Sequence, residues 1–281
     1  MVKINKHSPV QLALRLVVIA LMLGMLFAVV YPLWWMIISG FKTNAELFLD
    51  PFAMPEKFSF ANFILAWKAG IGKYFANSVF ITAVSSVVTT ALCAIAAFPL
   101  SRYQFRMRKF WFMFILCGLM LAPQVSLISS YKLLQALNLY DTNWALILPY
   151  VTFRIPFTVF LMWSHFMTLP KDIEEAACID GCSSFKIFSR MLVPMSKPIM
   201  ATSILLTARY VWNDFMFSLV FTESSSLKTI PYGLNSMKSQ GDTDWTVLLA
   251  GLTLSAVPII ILFICLQKQF VRGMTAGSVK G

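Results

Sequence analysis

The chain has 281 residues, 58% of them hydrophobic and only 12% charged, with 25 Phe, 16 Met and 8 Trp. So much apolar surface cannot be hidden inside one water-soluble core, which excludes a soluble globular protein and puts the chain in lipid. The formal charge of +11 is not the footprint of a nucleic-acid partner, because it gathers on one side of the membrane that the sequence predicts.

A helix needs about 20 apolar residues to cross about 30 Å of hydrocarbon. Six stretches meet that length: 12–38, 78–100, 110–130, 144–166, 199–221 and 246–266. Backbone polar groups cannot stay unpaired in lipid, so each stretch is expected as a helix, with kinks at Pro32, Pro123, Pro149, Pro156 and Pro258. The first stretch, 27 residues behind Lys3, Lys6 and Arg15, far exceeds the apolar core of a cleaved secretion signal, about 7–15 residues, and is read as retained. Between the first two spans, 39–77 carries short apolar patches punctuated by Pro51 and Pro55, which read as amphipathic pieces lying along the outer surface. No interval is long enough for a second folded domain, and no internal repeat is visible, so residues 1–281 form one membrane domain.

Orientation follows from Lys and Arg. With the N-terminus in the cytoplasm, the inside segments hold fourteen bases, from Lys3 to Lys280, and the outside segments hold seven, cancelled by seven acids. The sharpest cluster is "RYQFRMRK" between spans two and three. This positive-inside bias places both termini in the cytoplasm.

Chemistry-bearing clusters are few. His7 and His165 stand apart from any nucleophile or ligand set. Cys178 and Cys182 have the spacing C-x3-C with no histidine nearby, a poor metal site. The phosphate-binding pattern G-x-x-x-x-G-K-[ST] does not occur. No catalytic residue, metal site or cofactor of the chain's own is assigned.

The soluble-looking interval 168–198 is the informative one. In "TLPKDIEEAACIDG" Thr168 reads as a cap, Pro170 suits a first turn, and Asp172, Glu174 and Glu175 complement the positive helix end. Gly181 supplies a left-handed stop. Ser183 and Ser184 open a second helix, and Pro194 is expected to end it. Ile173, Ala176, Ala177 and Asp180 share one face of the first helix, small enough for another backbone to approach. Phe185, Phe188, Met191 and Leu192 share a face of the second, expected to turn toward the chain's own bundle.

The stretch "EEAACIDGCSSFKIFSRMLVP" resembles the signature loop of ABC-importer permeases, E-A-A, three residues, Gly, nine residues, then I-x-L-P. Glu175, Ala176, Ala177, Asp180, Gly181 and Pro194 match by position, while Met191 and Val193 stand where Ile and Leu are usual. The segments "FANSVFITAVSS", "LSRYQFRMRK", "MLAPQVSLISSYKLLQALNLYDT", "VWNDFMFSLVF" and "FVRGMTAGSVKG" are similar to the smaller of the two permeases in maltose-type carbohydrate importers.

The resemblance implies an all-α membrane protein, a type I importer permease bundle of six transmembrane helices with a cytoplasmic coupling helix. It implies a second homologous permease, two ATP-hydrolysing subunits that bind the ATP and Mg, an extracytoplasmic solute-binding protein and a bacterial cytoplasmic membrane. Glu174, Glu175, Ala176, Ala177, Asp180, Gly181 and Pro194 become the expected coupling residues. Arg154, Arg209, Tyr210, Trp212, Asn213 and Asp214 lie inside spans four and five, where charge is expensive and faces protein or water. They read either as a solute path, with Tyr210 and Trp212 offering faces for sugar rings, or as structural glue in which an arginine pairs with Asp214 or with helix carbonyls. The rival to the whole reading is a secondary transporter driven by an ion gradient, which should show a repeat of broken helices that the two halves lack.

Overall fold

The computed structural model describes residues 9–238 and 243–275, with the side chains of 14–238 and 243–270 placed. Lys3, Lys6, His7, Asp242, Lys280 and the end of the closing motif lie outside these, as do the placements expected for both termini. All regular structure in the described residues is helical.

Contacts divide the chain into two compact units. One comprises the residues up to Ala69 with Met237–Leu254, and the other Gly70–Ser236 with the residues from Ser255. In the first, α1 (Pro9–Ser39) runs unbroken through Pro32. None of its most apolar window is buried within the chain. In the interval expected to carry amphipathic pieces, two short helices form, α2 (Asn44–Leu49) and α3 (Ala61–Ala66). A reciprocal box starts α2: Glu46 N–H donates to Thr43 Oγ1 (3.3 Å), and Thr43 N–H to Glu46 Oε2 (2.6 Å). Lys42 is buried because its Nζ donates to the carbonyls of Asp50 (3.2 Å) and Pro51 (2.9 Å).

The second unit is built on α4 (Gly72–Arg102), α7 (Asn143–Thr168) and α11 (Lys197–Asn213). The buried face of α4 includes Ser78, Thr82, Ser85, Ser86, Thr89 and Thr90, side chains small enough for neighbouring helices to come close in an apolar medium. One core gathers Cys93, Ala97, Phe98, Val159, Met162 and Phe166; a second gathers Ile81, Leu146, Tyr150, Val211, Phe217 and Phe221.

Among the described residues, four helical stretches are long and apolar enough to span a membrane: Leu14–Ser39, Ala61–Arg102, Asn143–Thr168 and Trp245–Phe270. A bent pair, Ser184–Met195 with Lys197–Asn213 at 75°, would make a fifth. Two of the six expected spans are therefore not continuous helices. The stretch 110–130 is divided into α5 (Arg108–Cys117) and α6 (Leu127–Ala136) by a tight turn at Gly118–Met120 and an extended segment around Pro123. At 1.5 Å per residue each ten-residue helix is about 15 Å long, half of a bilayer core. The turn packs closely, since a Cβ on Gly118 would lie 2.6 Å from Pro156 Cγ. The stretch 199–221 breaks between α11 and α12 (Met216–Phe221) at Asp214, whose backbone is extended. Pro149, Pro156 and Pro258 lie inside continuous helices, as does Pro99 in α4.

At the far end of α12, Lys228 Nζ donates to the carbonyls of Ser218 (3.1 Å) and Thr222 (2.5 Å), satisfying a helix C-terminus. Burial holds this ammonium below its ordinary pKa, opposed by Asp141 and Glu223. Asp141 accepts from the N–H groups of Glu223 (2.7 Å) and Ser224 (2.8 Å) and from the Ser224 hydroxyl. These bonds hold its carboxyl below the usual carboxylate range, the Ser224 hydroxyl contributing most.

Candidate functional site

The interval 168–198 folds as an elbow fastened to the bundle. Its first helix, α8 (Asp172–Ile179), starts at Lys171 without a side-chain cap. Thr168 instead ends α7, its hydroxyl donating to the His165 carbonyl (2.7 Å), so the expected cap at Thr168 does not form. The stop at Gly181 does. Its φ is +73°, Gly181 N–H donates to Cys178 O (3.0 Å), and Cys182 N–H donates to Ala177 O (2.9 Å). These are the two bonds that close an α-helix through a left-handed glycine. Ser183 caps α9 (Ser184–Ile187), accepting from Lys186 N–H (3.5 Å).

Pro194 does not end the second helix. A wide π-type turn over Phe188–Leu192 leads into α10 (Val193–Met195), and the path bends only at Ser196. The wide turn accommodates a proline that lacks an N–H and whose ring crowds the preceding turn.

The elbow has a buried and a bare side, and these divide the expected residues differently from their helical pattern. Ala177 is 2% exposed, packed with Ile187 and Leu192 against Phe98, Val159, Met162 and Phe166. Its methyl is used inside the chain and is not free for a partner. Glu174 also turns inward: Arg102 Nε lies 2.7 Å from its Oε1, with the two side chains 3% and 16% exposed. Arg102 Nη2 donates to the Leu169 carbonyl (3.2 Å). Burial raises the Glu174 pKa, and the Arg102 guanidinium opposes that rise. Glu175, Ala176, Cys178, Asp180 and Gly181 are bare, with Ile179 at 87% exposed. Phe185 is 76% exposed, so it does not join Phe188, Met191 and Leu192 on the inward face.

Arg102 had not been picked out as a site residue. Its sequence signal is that it opens the basic cluster "RYQFRMRK", at the end of α4, where Leu100 O also accepts from Arg108 Nε (2.7 Å) and Trp163 Nε1 (3.1 Å). One helix end thus holds the elbow, α5 and α7 together.

The second locus is a cavity of about 510 Å³ lined by Arg154, Phe157, Leu206, Arg209, Tyr210, Asn213 and Asp214. Five of the six residues expected on a path line it. Trp212 does not: it is buried, its Nε1 donates to Ser255 O (2.9 Å), and its ring meets Phe75 edge-on. Asp214 Oδ1 accepts from Tyr150 Oη (2.9 Å) and Phe217 N–H (2.9 Å), which starts α12. The expected arginine–Asp214 pair does not form among the described residues. Arg154 instead has its guanidinium carbon 5.0 Å from the Phe157 ring centre and 5.2 Å from that of Tyr210.

Against known proteins, residues 90–276 match the family model described as "Binding-protein-dependent transport system inner membrane component". The chain belongs to that family. The permease is 50% identical over 256 residues to the probable ABC transporter permease protein YurM of Bacillus subtilis, covering 91% of this chain and 85% of that one. It is 31% identical to the trehalose/maltose transport system permease protein MalG of Thermococcus litoralis, over 89% and 91% of the two chains. Among solved structures it superposes with TM-score 0.82 and 21% identity on a chain of a bacterial ABC transporter involved in the import of the acidic polysaccharide alginate, covering 94% of this chain and 99% of that one. The permease therefore has the type I ABC permease fold.

Proposed function

We propose that the chain is a membrane-spanning subunit of an ATP-driven, binding-protein-dependent importer for a carbohydrate or related polyol or sugar derivative. As one membrane domain in the bacterial cytoplasmic membrane, with both termini in the cytoplasm, it forms half of the pore beside a second permease. Two partner subunits bind Mg and ATP and hydrolyse it, and an extracytoplasmic binding protein delivers solute. This chain carries no cofactor and catalyses nothing itself. Sugars as cargo are supported by relatives named for maltose and for diacetylchitobiose.

The single observation that carries coupling is the elbow's division into a fastened and a bare side. Glu175, Ala176 and Ile179 of α8, with Asp180 and Gly181 at its stop, lie bare, and the helix is joined on its other side to α4 by the Arg102–Glu174 pair. A partner that grips the bare side moves the bundle, because the ion pair and the packed Ala177 transmit the load. Apolar Ile179 and Phe185 beside Glu175 and Asp180 suit a groove with an apolar floor and a basic rim. ATP closes the partner subunits by binding their closed state more tightly, and the elbow follows as a rigid handle.

The test is uptake of labelled mono- and oligosaccharides by sealed vesicles holding the assembled complex, with wild type and Ala176→Trp compared. ATP-dependent uptake is expected in wild type. In Ala176→Trp it should be lost while the amount of protein in the membrane is unchanged, because Ala176 is bare. Uptake that ignores ATP and collapses with an ion gradient, or full transport in Ala176→Trp, defeats the reading.

A further inference from the structure

We infer that the cavity between α7 and α11 is an oxyanion-binding subsite, so that the sugar this importer carries bears a carboxylate or phosphate group recognised by Arg154 and Arg209. The inference rests on the importer reading and deepens it by naming the substrate class.

Two guanidinium groups and one carboxylate line the cavity. No ion pair joins the carboxylate to either arginine among the described residues, and Asp214 Oδ1 accepts instead from Tyr150 and Phe217. Neither arginine side chain donates a hydrogen bond to a described residue, and Arg154 Nε is buried without a partner. Unpaired charge within a helical bundle in lipid is costly and marks a place where a charged partner is expected.

The rings of Phe157 and Tyr210 near the Arg154 guanidinium limit its orientations without using any of its N–H donors. A guanidinium held this way keeps its donor edges for an oxyanion, which it can bind through two parallel bonds. The phenol of Tyr210 and the amide of Asn213, on the same wall, suit sugar hydroxyls. At about 510 Å³ the cavity is large enough for one sugar ring and its charged substituent.

The experiment measures how fast phenylglyoxal modifies Arg154 and Arg209 in the native complex in lipid nanodiscs, by peptide mass spectrometry. The exposed Arg190 serves as the internal reference. The probes are glucuronate, glucose 6-phosphate and neutral glucose. Saturating glucuronate or glucose 6-phosphate is expected to slow modification of both arginines at least about tenfold relative to Arg190, by mass action, while glucose leaves the rates unchanged. Which anion protects at lower concentration tells a carboxylate site from a phosphate site. Equal protection by glucose, or none by any probe, overturns the inference. Loss of protection together with intact ATP-driven uptake removes the anion subsite and leaves the importer standing. Protection without any ATP dependence of uptake does the reverse.

Discussion

Arg102 and Arg154 both belong to the helical bundle of the second unit, and the fold treats them in opposite ways. Arg102 meets Glu174 at 2.7 Å and a helix-end carbonyl besides, so its charge is used up in joining two segments. Arg154 shares a cavity with Asp214, yet aromatic rings flank it and the aspartate is turned to Tyr150 and Phe217. A charge answered within the chain makes a joint, whereas a charge left unanswered is available to something that enters. The same residue type therefore closes a joint in one region and stays without a counter-charge in another, and only its partner tells them apart.

The largest expected effect comes from breaking the joint. Arg102→Ala leaves Glu174 partly buried without its counter-charge, at a cost of about 3 kcal/mol. Thermal unfolding of the purified protein should fall accordingly, and adding Glu174→Ala should recover part of the loss. If the single and double variants match wild type, the pair is not a joint. Next is Asp214→Ala, which orphans the buried Tyr150 hydroxyl and the Phe217 N–H, at about 2 kcal/mol. Asp214→Asn keeps an acceptor oxygen and should lose less, read as the yield of folded protein. An Asn variant as damaging as the Ala variant would mean that the carboxylate's charge matters and that the two arginines are not independent of it.

The smallest effect is a pH dependence far from both regions. The folded pKa of Asp141 lies below its unfolded value of about 3.9, so its contribution to stability is present above that value and is lost as pH falls through the folded one. Amide hydrogen exchange at Glu223 and Ser224 should therefore quicken, relative to the intrinsic rate, only below about pH 4. The Arg102–Glu174 region should not share this onset, because burial moves the Glu174 pKa the other way. A common onset would mean global unfolding rather than release of one loop.

Much of the elbow was legible because its rules are local. Gly181 stops a helix wherever a left-handed residue is needed, and Ser183 caps wherever its hydroxyl can reach the N–H three residues on. Thr168 failed as a cap because α7 continues through it, and Pro194 failed as a stop because a wide turn absorbed it. For the cavity, position inside an apolar span marked Arg154, Arg209 and Asp214, but their pairing could not be read. Trp212 lies in the same helix as its neighbours Asn213 and Tyr210, yet its indole turns 43 residues ahead to Ser255.

The sequence alone determined that the chain is helical and apolar, where its charges fall, and where the elbow turns, since these follow from composition, hydropathy and the conformational limits of single residues. Tertiary packing alone decided that two spans are broken, that Ala177 and Glu174 face inward while Ala176 and Glu175 do not, and that Arg102 has a carboxylate where Arg154 has rings. The reason is that a hydropathy pattern fixes which face of a helix is apolar. Which atoms meet that face is set by helices distant in sequence.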